Sequence, residues 1–107
     1  MNARNRIRIN ENIDEKLLDK LQLYSESLDF PKSRIVEEGI RYILKQKISP
    51  RKKSANRKAI NLTINSELWS KLKAYSELNN YKLVHLLETA IKYSLKKFKP
   101  HLTSLSD

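Results

Sequence analysis

An internal repeat constrains the fold of this chain more than any other feature of its sequence. A shift of 51 residues aligns residues 6–45 with residues 57–96 without a gap, and 15 of the 40 aligned positions are identical. The identical pairs are Arg6/Arg57, Ile9/Ile60, Asn10/Asn61, Ile13/Ile64, Leu17/Leu68, Lys20/Lys71, Leu21/Leu72, Tyr24/Tyr75, Ser25/Ser76, Glu26/Glu77, Glu37/Glu88, Ile40/Ile91, Tyr42/Tyr93, Leu44/Leu95 and Lys45/Lys96. So dense a match indicates a duplicated structural unit, and the two copies are expected to share one fold.

Each copy begins with an alternation of apolar and polar residues, which predicts a β-strand with one buried face. The alternation covers residues 7–10 in the first copy and residues 60–64 in the second. Asp14 and Asn65 follow at positions where a side-chain oxygen can cap the first turn of a helix. Beyond each cap the apolar residues recur at helical spacing, which predicts an amphipathic helix of about four turns.

A second amphipathic helix is predicted in each copy after a short break. In the first copy the break contains Pro31, which suits the first helical position because proline lacks an N–H that would be unpaired there. The segment between the copies contains Pro50 and a run of basic residues, and is predicted to be a linker. The expected divisions are unit 1, a basic linker, unit 2 and a flexible tail, at residues 1–45, 46–56, 57–99 and 100–107.

A strand–helix–helix unit of this size cannot close a core alone, because its strand lacks a hydrogen-bonding neighbour and its apolar faces lack a partner. Two units can pair their strands and bury the apolar faces of four helices beneath them. The predicted fold is therefore mainly α with a two-stranded antiparallel ribbon, in which two fused units form an intramolecular pseudo-dimer. The repeat leaves open whether the strands pair within one chain or between two chains.

The composition excludes several classes of enzyme and cofactor site. The chain has no cysteine and one glycine, so it has no thiol nucleophile, no cysteine-ligated zinc site and no glycine-rich phosphate loop. His85 and His101 lack the spacing of a metal-binding or catalytic pair. Glu37 and Glu88 occupy equivalent positions in apolar-rich helices, which favours a structural ion pair over acid–base chemistry. We expect no enzymatic activity, no metal, no cofactor and no small-molecule ligand.

No apolar run approaches the roughly 18–20 residues that a membrane span needs, and the first 12 residues lack the apolar stretch of a signal peptide. A cytoplasmic protein without a membrane partner is expected.

The charge is strongly positive, with 22 Lys and Arg against 12 Asp and Glu, and no acidic residue lies between Glu38 and Glu67. Such segregation favours binding to nucleic acid, and a solvated surface is the alternative.

A strand with alternating polar residues, followed by two helices, resembles the ribbon-helix-helix DNA-binding family, the MetJ/Arc/CopG-like repressors. The resemblance covers about 80 of the 107 residues and is most specific at residues 60–68, with the sequence INLTINSEL. It implies that the paired strands enter the major groove of double-stranded DNA. Fused tandem proteins similar to this chain occur among plasmid conjugation proteins and viral regulators, which implies a prokaryotic plasmid or viral setting.

The resemblance implies that the exposed strand residues read bases. Arginine can bond guanine, asparagine can bond adenine, and threonine offers a hydroxyl and a methyl group. An exposed polar face with no reading role is the alternative. Ala59 has no polar group, so the second copy is expected to read fewer bases. The predicted base readers are Arg8, Asn10, Asn12, Asn61 and Thr63.

Glu11 departs from the strand pattern, because it occupies an inward-facing position that is Leu62 in the second copy. An unpaired buried carboxylate is costly. Glu11 is therefore expected to lie at a solvated edge or to have a basic partner. Otherwise the strand register is shifted by one residue, which would turn the other face outward.

The resemblance also implies phosphate contacts at the start of each second helix, where free N–H groups and the helix dipole attract an anion. Pro31 and Lys82 stand where the family usually has a small hydroxyl or asparagine cap, and an ordinary helix start is the alternative. The basic linker is equally a nonspecific phosphate contact or a solvated spacer. The predicted contacts to the DNA backbone are Arg6, Lys32, Ser33, Arg34, Arg51, Lys52, Lys53, Arg57 and Lys82.

The expected function is sequence-specific DNA binding by a transcriptional regulator, with a repressor favoured. Because the reading residues of the two copies differ, the expected site is non-palindromic or consists of tandem elements on which chains self-associate. Two alternatives remain. The first is an accessory DNA-binding protein of a plasmid relaxosome or partition system, and the second is an antitoxin-type repressor that binds a protein partner.

Overall fold

The computed structural model describes residues 5–51 and 55–106 of the chain. This part of the protein is mainly helical, with four helices and one two-stranded antiparallel sheet, as the repeat predicts. The elements in chain order are β1 (Arg6–Asp14), α1 (Glu15–Leu28), α2 (Lys32–Gln46), β2 (Arg57–Asn65), α3 (Ser66–Leu78) and α4 (Leu83–Ser106). The predicted strand–helix–helix order is therefore present in both copies.

The two strands pair with each other within the single chain. Arg6 lies opposite Asn65 at one end of the ladder, and Asp14 lies opposite Arg57 at the other. At the centre Asn10 lies opposite Asn61, and these two asparagines occupy the same position in the two copies. The two copies therefore contribute equivalently to the ladder, which is symmetric about this central pair.

One face of the ribbon is buried and the other is exposed, as the alternation predicts. Ile9, Ile13, Ile60 and Ile64 are at most 4% exposed, whereas the polar positions between them are exposed or half-buried. Glu11 lies on the inner side of the ribbon but is only half-buried. The strand register is therefore not shifted, and the Glu11 carboxylate keeps part of its contact with water.

The first helix of each copy begins at its predicted cap. The Asp14 carboxylate accepts a hydrogen bond from the backbone N–H of Lys16 at 2.9 Å. The Asn65 side-chain oxygen accepts one from the backbone N–H of Leu68 at 2.9 Å. Each bond satisfies an amide group that a helix start leaves unpaired. Because each cap is also the last residue of its strand, each strand leads into its helix without a loop.

The start of α2 differs from the prediction by one residue. Pro31 is the N-cap residue, with an extended ψ of 145°, and α2 itself begins at Lys32. The Pro31 carbonyl accepts a hydrogen bond from the Arg34 N–H at 3.0 Å. Neither the N-cap nor the first helical residue donates its N–H within the helix, so proline, which lacks this group, suits both positions. A proline near a helix start therefore does not predict which of the two it occupies.

The second helices, α2 and α4, make the main contact between helices. A Cβ atom on Gly39 would lie 2.0 Å from the carbonyl oxygen of Ala90, so this approach requires glycine. One turn further along α2, the rings of Tyr42 and Tyr93 lie 5.2 Å apart. Gly39 and Ala90 are equivalent in the repeat, and so are the two tyrosines. At the helix contact, Gly39 therefore lies against its repeat equivalent Ala90, and Tyr42 against Tyr93. The centre of the strand ladder likewise brings two equivalent residues together.

The core is formed by apolar side chains from all six elements. The buried apolar residues are Ile9, Ile13, Leu21, Tyr24, Ile35, Val36, Ile40, Ile43, Ile60, Ile64, Trp69, Leu72, Leu86, Leu87, Ala90, Ile91, Leu95 and Phe98. They form one cluster beneath the inner face of the ribbon, so that neither copy has a core of its own. The exposed face of the ribbon is therefore supported by the packing of both copies.

Helix α4 continues past the expected end of unit 2. It includes Pro100 and extends to Ser106, so residues 100–106 are helical where a tail was expected. Phe98 is buried, and its ring packs edge-on against Phe30 with the centroids 5.5 Å apart. The Lys97 ammonium group lies 3.0 Å from the Glu38 carboxylate. These two contacts hold the later part of α4 against the first copy.

The described residues of the linker are held at both ends. The Tyr75 hydroxyl donates a hydrogen bond to the Ile48 carbonyl at 2.8 Å. At the other end, the Glu15 N–H donates to the Asn56 carbonyl at 2.9 Å. The connection between the copies is therefore fixed to α3 on one side and to α1 on the other.

Candidate nucleic-acid interface

The exposed face of the ribbon brings all five predicted base readers together. Side chains two residues apart on a strand point to the same side, so the antiparallel ladder arranges this face as three cross-strand pairs. These pairs are Arg8 opposite Thr63, Asn10 opposite Asn61, and Asn12 opposite Ala59. All six residues are exposed. We call this set of six residues the ribbon face.

The polar side chains of the ribbon face make no hydrogen bond or ion pair within the described part of the chain. They carry the donors and acceptors of an arginine, three asparagines and a threonine. Polar groups that a fold buries are hydrogen-bonded, whereas these are exposed. The hydrogen-bonding capacity of this face is therefore available to water or to a bound partner.

A carboxylate anchors each end of the ribbon. Glu37 on α2 accepts hydrogen bonds from the Arg6 guanidinium and from the backbone N–H of Asn65, both at 3.0 Å. Glu88 on α4 accepts from the Arg57 guanidinium at 2.9 Å and from the backbone N–H of Asp14 at 2.8 Å. The two arrangements are equivalent in the repeat. We call them the carboxylate anchors, and each one joins a strand of one copy to the strand end of the other.

The carboxylate anchors confirm the expectation that Glu37 and Glu88 form structural ion pairs. They also give Arg6 and Arg57, both predicted to contact the DNA backbone, a partner within the protein. The hydrogen bond with Glu88 raises the pKa of Arg57 above its ordinary value. The Arg6 side chain is 36% exposed and the Arg57 side chain 26%, so part of each side chain still faces solvent.

The start of α2 carries three of the predicted backbone contacts. Lys32 and Ser33 are half-buried, and Arg34 is exposed with its guanidinium 3.9 Å from the centre of the Phe30 ring. Pro31 provides no side-chain cap to this helix. A helix start without a side-chain cap keeps N–H donors that can bind a phosphate oxygen, and the helix dipole adds to the attraction.

The remaining predicted backbone contacts lie in other places. Lys82 is exposed and precedes α4, in the position that corresponds to Pro31. Arg51 is exposed in the linker. Lys52 and Lys53 lie outside the described residues. The ribbon face is thus a compact cluster, whereas the predicted backbone contacts are distributed over the strand starts, the linker and two helix starts.

A shallow basic groove at the Asn65 end of the ribbon was missed by the sequence analysis. Arg41 and Lys45 from α2 line it together with Lys71 from α3. Glu67 lies 3.3 Å from Lys71 and neutralises part of this charge. The repeat contains a sequence signal for this groove, since Lys45 and Lys71 are each identical to the equivalent residue of the other copy.

Other kinds of site have little support in the described residues. Within them, no group of three or more His, Asp or Glu side chains is placed to hold a metal ion. His85 is half-buried on the first turns of α4, and the His101 ring lies 6.2 Å from the Phe98 ring. Across residues 5–51 and 55–106, no helix is long and apolar enough to cross a membrane.

Comparisons with protein-family models, with curated proteins and with solved structures found no match to this chain. The ribbon face places five polar side chains, exposed and unpaired within the described residues, on one regular two-stranded backbone.

Proposed function

We propose that this chain is a tandem ribbon-helix-helix protein that binds double-stranded DNA sequence-specifically and represses transcription. In this proposal its two units form an intramolecular pseudo-dimer, and the ribbon face enters the major groove. The observation that carries the proposal is the row of polar side chains on the ribbon face, which are exposed and have no partner among residues 5–51 and 55–106.

The dimensions of a two-stranded ribbon suit this role. Paired strands lie about 5 Å apart, and the major groove of B-DNA is about 12 Å wide. A ribbon with its side chains therefore fits in the groove with one face towards the base edges. Arginine, asparagine and threonine are residues whose hydrogen-bonding groups match those edges. The anchored inner face keeps the ribbon rigid, so binding costs little ordering of the backbone.

Pairing between equivalent positions supports the pseudo-dimer. Asn10 lies opposite Asn61 in the ladder, and Gly39 contacts Ala90 where the second helices meet. In a symmetric dimer, a residue on the twofold axis contacts its own copy in the partner. A fused pair of units would make the same contacts between equivalent residues, as these positions do.

The backbone contacts supply affinity in this proposal. The formal net charge of +10 attracts the phosphates, and the N–H groups at the starts of α2 and α4 bind individual phosphate oxygens. These contacts are independent of sequence and fix the protein on the duplex. The ribbon face then supplies specificity, and its unequal copies favour a site without exact twofold symmetry.

Selection from random duplexes, followed by fluorescence anisotropy on the selected sequence, tests the proposal. Asn61→Ala should lower affinity by about 1–3 kcal/mol and remove the base preference at one position, because it deletes one base-reading amide. Gln46→Ala is the matched control, since Gln46 is exposed at the end of α2 and is not part of the ribbon face. An unchanged selected motif for Asn61→Ala would refute the reading role.

The position of the selected motif separates repression from the other DNA-binding roles. A repressor requires occurrences that overlap promoters and a reporter that is silenced by the chain. Occurrences confined to a plasmid transfer origin or partition site, with no effect on the reporter, would instead favour an accessory protein.

A further inference from the structure

The two ends of the ribbon face differ chemically, and the register determines how. Arg8 and Ala59 are equivalent in the repeat, as are Asn12 and Thr63. Because the strands are antiparallel, the arginine and the threonine come together at one end, and the asparagine and the alanine at the other. The alternation in the sequence assigns these four residues to one face, but only the cross-strand register sorts them into two ends.

The end formed by Arg8 and Thr63 is suited to a G·C base pair. An arginine that donates two hydrogen bonds to O6 and N7 of guanine is the commonest specific contact in the major groove. The backbone beneath this end is held in place, because the Arg6 guanidinium donates to the Thr63 carbonyl at 3.0 Å while it also bonds Glu37. Arg8 therefore projects from a fixed part of the strand.

The end formed by Asn12 and Ala59 is suited to an A·T base pair. The asparagine amide matches N6 and N7 of adenine, and an alanine methyl makes an apolar contact with the methyl group of thymine. Neither residue carries a charge. Asn10 and Asn61, at the centre of the face, have the same preference for adenine.

The helices beneath the two ends follow the same asymmetry. Glu37 of α2 contacts the strands at the Arg8 end, and α2 begins with the cations Lys32 and Arg34. Glu88 of α4 contacts the opposite end, and α4 is preceded by the single lysine Lys82. The Arg8 end therefore carries the one charged base reader and is contacted, through Glu37, by the helix whose start holds more cations.

We propose that the chain binds an asymmetric duplex element in a single orientation, an inference that rests on the proposed function. The pair Arg8 and Thr63 lies over a G·C pair, and the pair Asn12 and Ala59 lies over an A·T pair. Adenines lie between them against the two central asparagines. One chain thus distinguishes the two directions along a duplex, which a symmetric dimer cannot do.

The first experiment repeats the duplex selection with Arg8→Ala. The variant should lose the G·C preference at one end of the motif only, with an affinity for the wild-type motif that is about 10- to 100-fold lower. Arg51→Ala, which removes the same charge from the linker, should weaken binding and leave the motif unchanged. Loss of preference at both ends, or at neither, in the Arg8→Ala selection would overturn the inference.

The second experiment builds a gain of specificity. Ala59→Arg combined with Asn12→Thr gives both copies the same three outward residues, all at exposed positions. The selected motif should gain a second G·C pair at the mirrored position and become palindromic. If the double variant retained an A·T pair there, the assigned orientation would be wrong. The proposed function would still stand in that case, because the wild type would bind its selected motif. A folded wild-type chain, verified by circular dichroism, that selects no motif would overturn the proposed function itself.

Discussion

Replacement of the single glycine, Gly39, by alanine should destabilise the protein although alanine is the better helix former. The new Cβ would lie 2.0 Å from the carbonyl oxygen and 2.5 Å from the carbonyl carbon of Ala90. Both are backbone atoms, so no side-chain rotation relieves the overlap. An ordinary contact of about 3.4 Å requires α2 and α4 to separate by more than 1 Å at this point.

The magnitude follows from two opposing effects. Glycine to alanine in a helix interior gains about 1 kcal/mol of helix propensity. Forcing extra volume into a packed core costs about 1–3 kcal/mol or more, and this site lies at the upper end because the clash is with backbone. We expect a net loss of about 2 kcal/mol in the free energy of unfolding, which corresponds to a fall in Tm of roughly 8–16 °C for a domain of this size.

Urea unfolding followed by circular dichroism measures this loss directly. Ser70→Ala, at an exposed position on α3, is the control for the propensity gain alone and should change stability by less than about 0.5 kcal/mol. Ala90→Gly should not rescue Gly39→Ala, because the clash is with the Ala90 backbone and not its methyl group. Equal or greater stability of Gly39→Ala would refute the close helix contact.

Two further predictions concern the hydrogen bonds that Glu88 and Tyr75 make to other elements of the fold. Glu88→Gln removes the negative charge from the group that accepts hydrogen bonds from Arg57, and should lower the free energy of unfolding by about 1–3 kcal/mol. Urea titrations measure this loss, and Glu77→Gln on the surface of α3 is the control that should have little effect. Burial raises the pKa of Tyr75, whose hydroxyl donates to Ile48, so the protonated phenol favours the folded state at neutral pH. The stability advantage of the wild type over Tyr75→Phe should therefore be present at neutral pH and be lost as the pH rises through that raised pKa; an advantage that persists in strong alkali would contradict this.

Local sequence signals predicted the elements that depend on neighbouring residues. The alternation identified the inner face of each strand, because period two is a property of the strand itself. Asp14 and Asn65 were identified as caps for the same reason, since a cap bonds an amide only two or three residues away. The repeat strengthened both predictions by presenting each pattern twice.

Features that depend on distant contacts were beyond local signals. The partners of Arg6 and Arg57 lie 31 residues away on other elements, so their ion pairs emerge only when the helices are packed. Helix α4 continues through Pro100, although proline usually interrupts a helix interior, and the buried Phe98 just before it packs on the first copy. The sorting of the ribbon face into two unlike ends likewise required the cross-strand register.

The carboxylate anchors bear on how a duplicated protein can diverge. Each anchor takes its glutamate and arginine from one copy and a backbone N–H from the other, and Arg6, Glu37, Arg57 and Glu88 preserve the same residue types in both copies. The side chains of the ribbon face have no such structural role, so their residue types can differ between the copies. In a homodimer one mutation alters both strands of the ribbon at once, whereas in a fused chain each strand mutates alone. The anchors therefore let one gene change one strand of the ribbon face while the shared architecture stays intact.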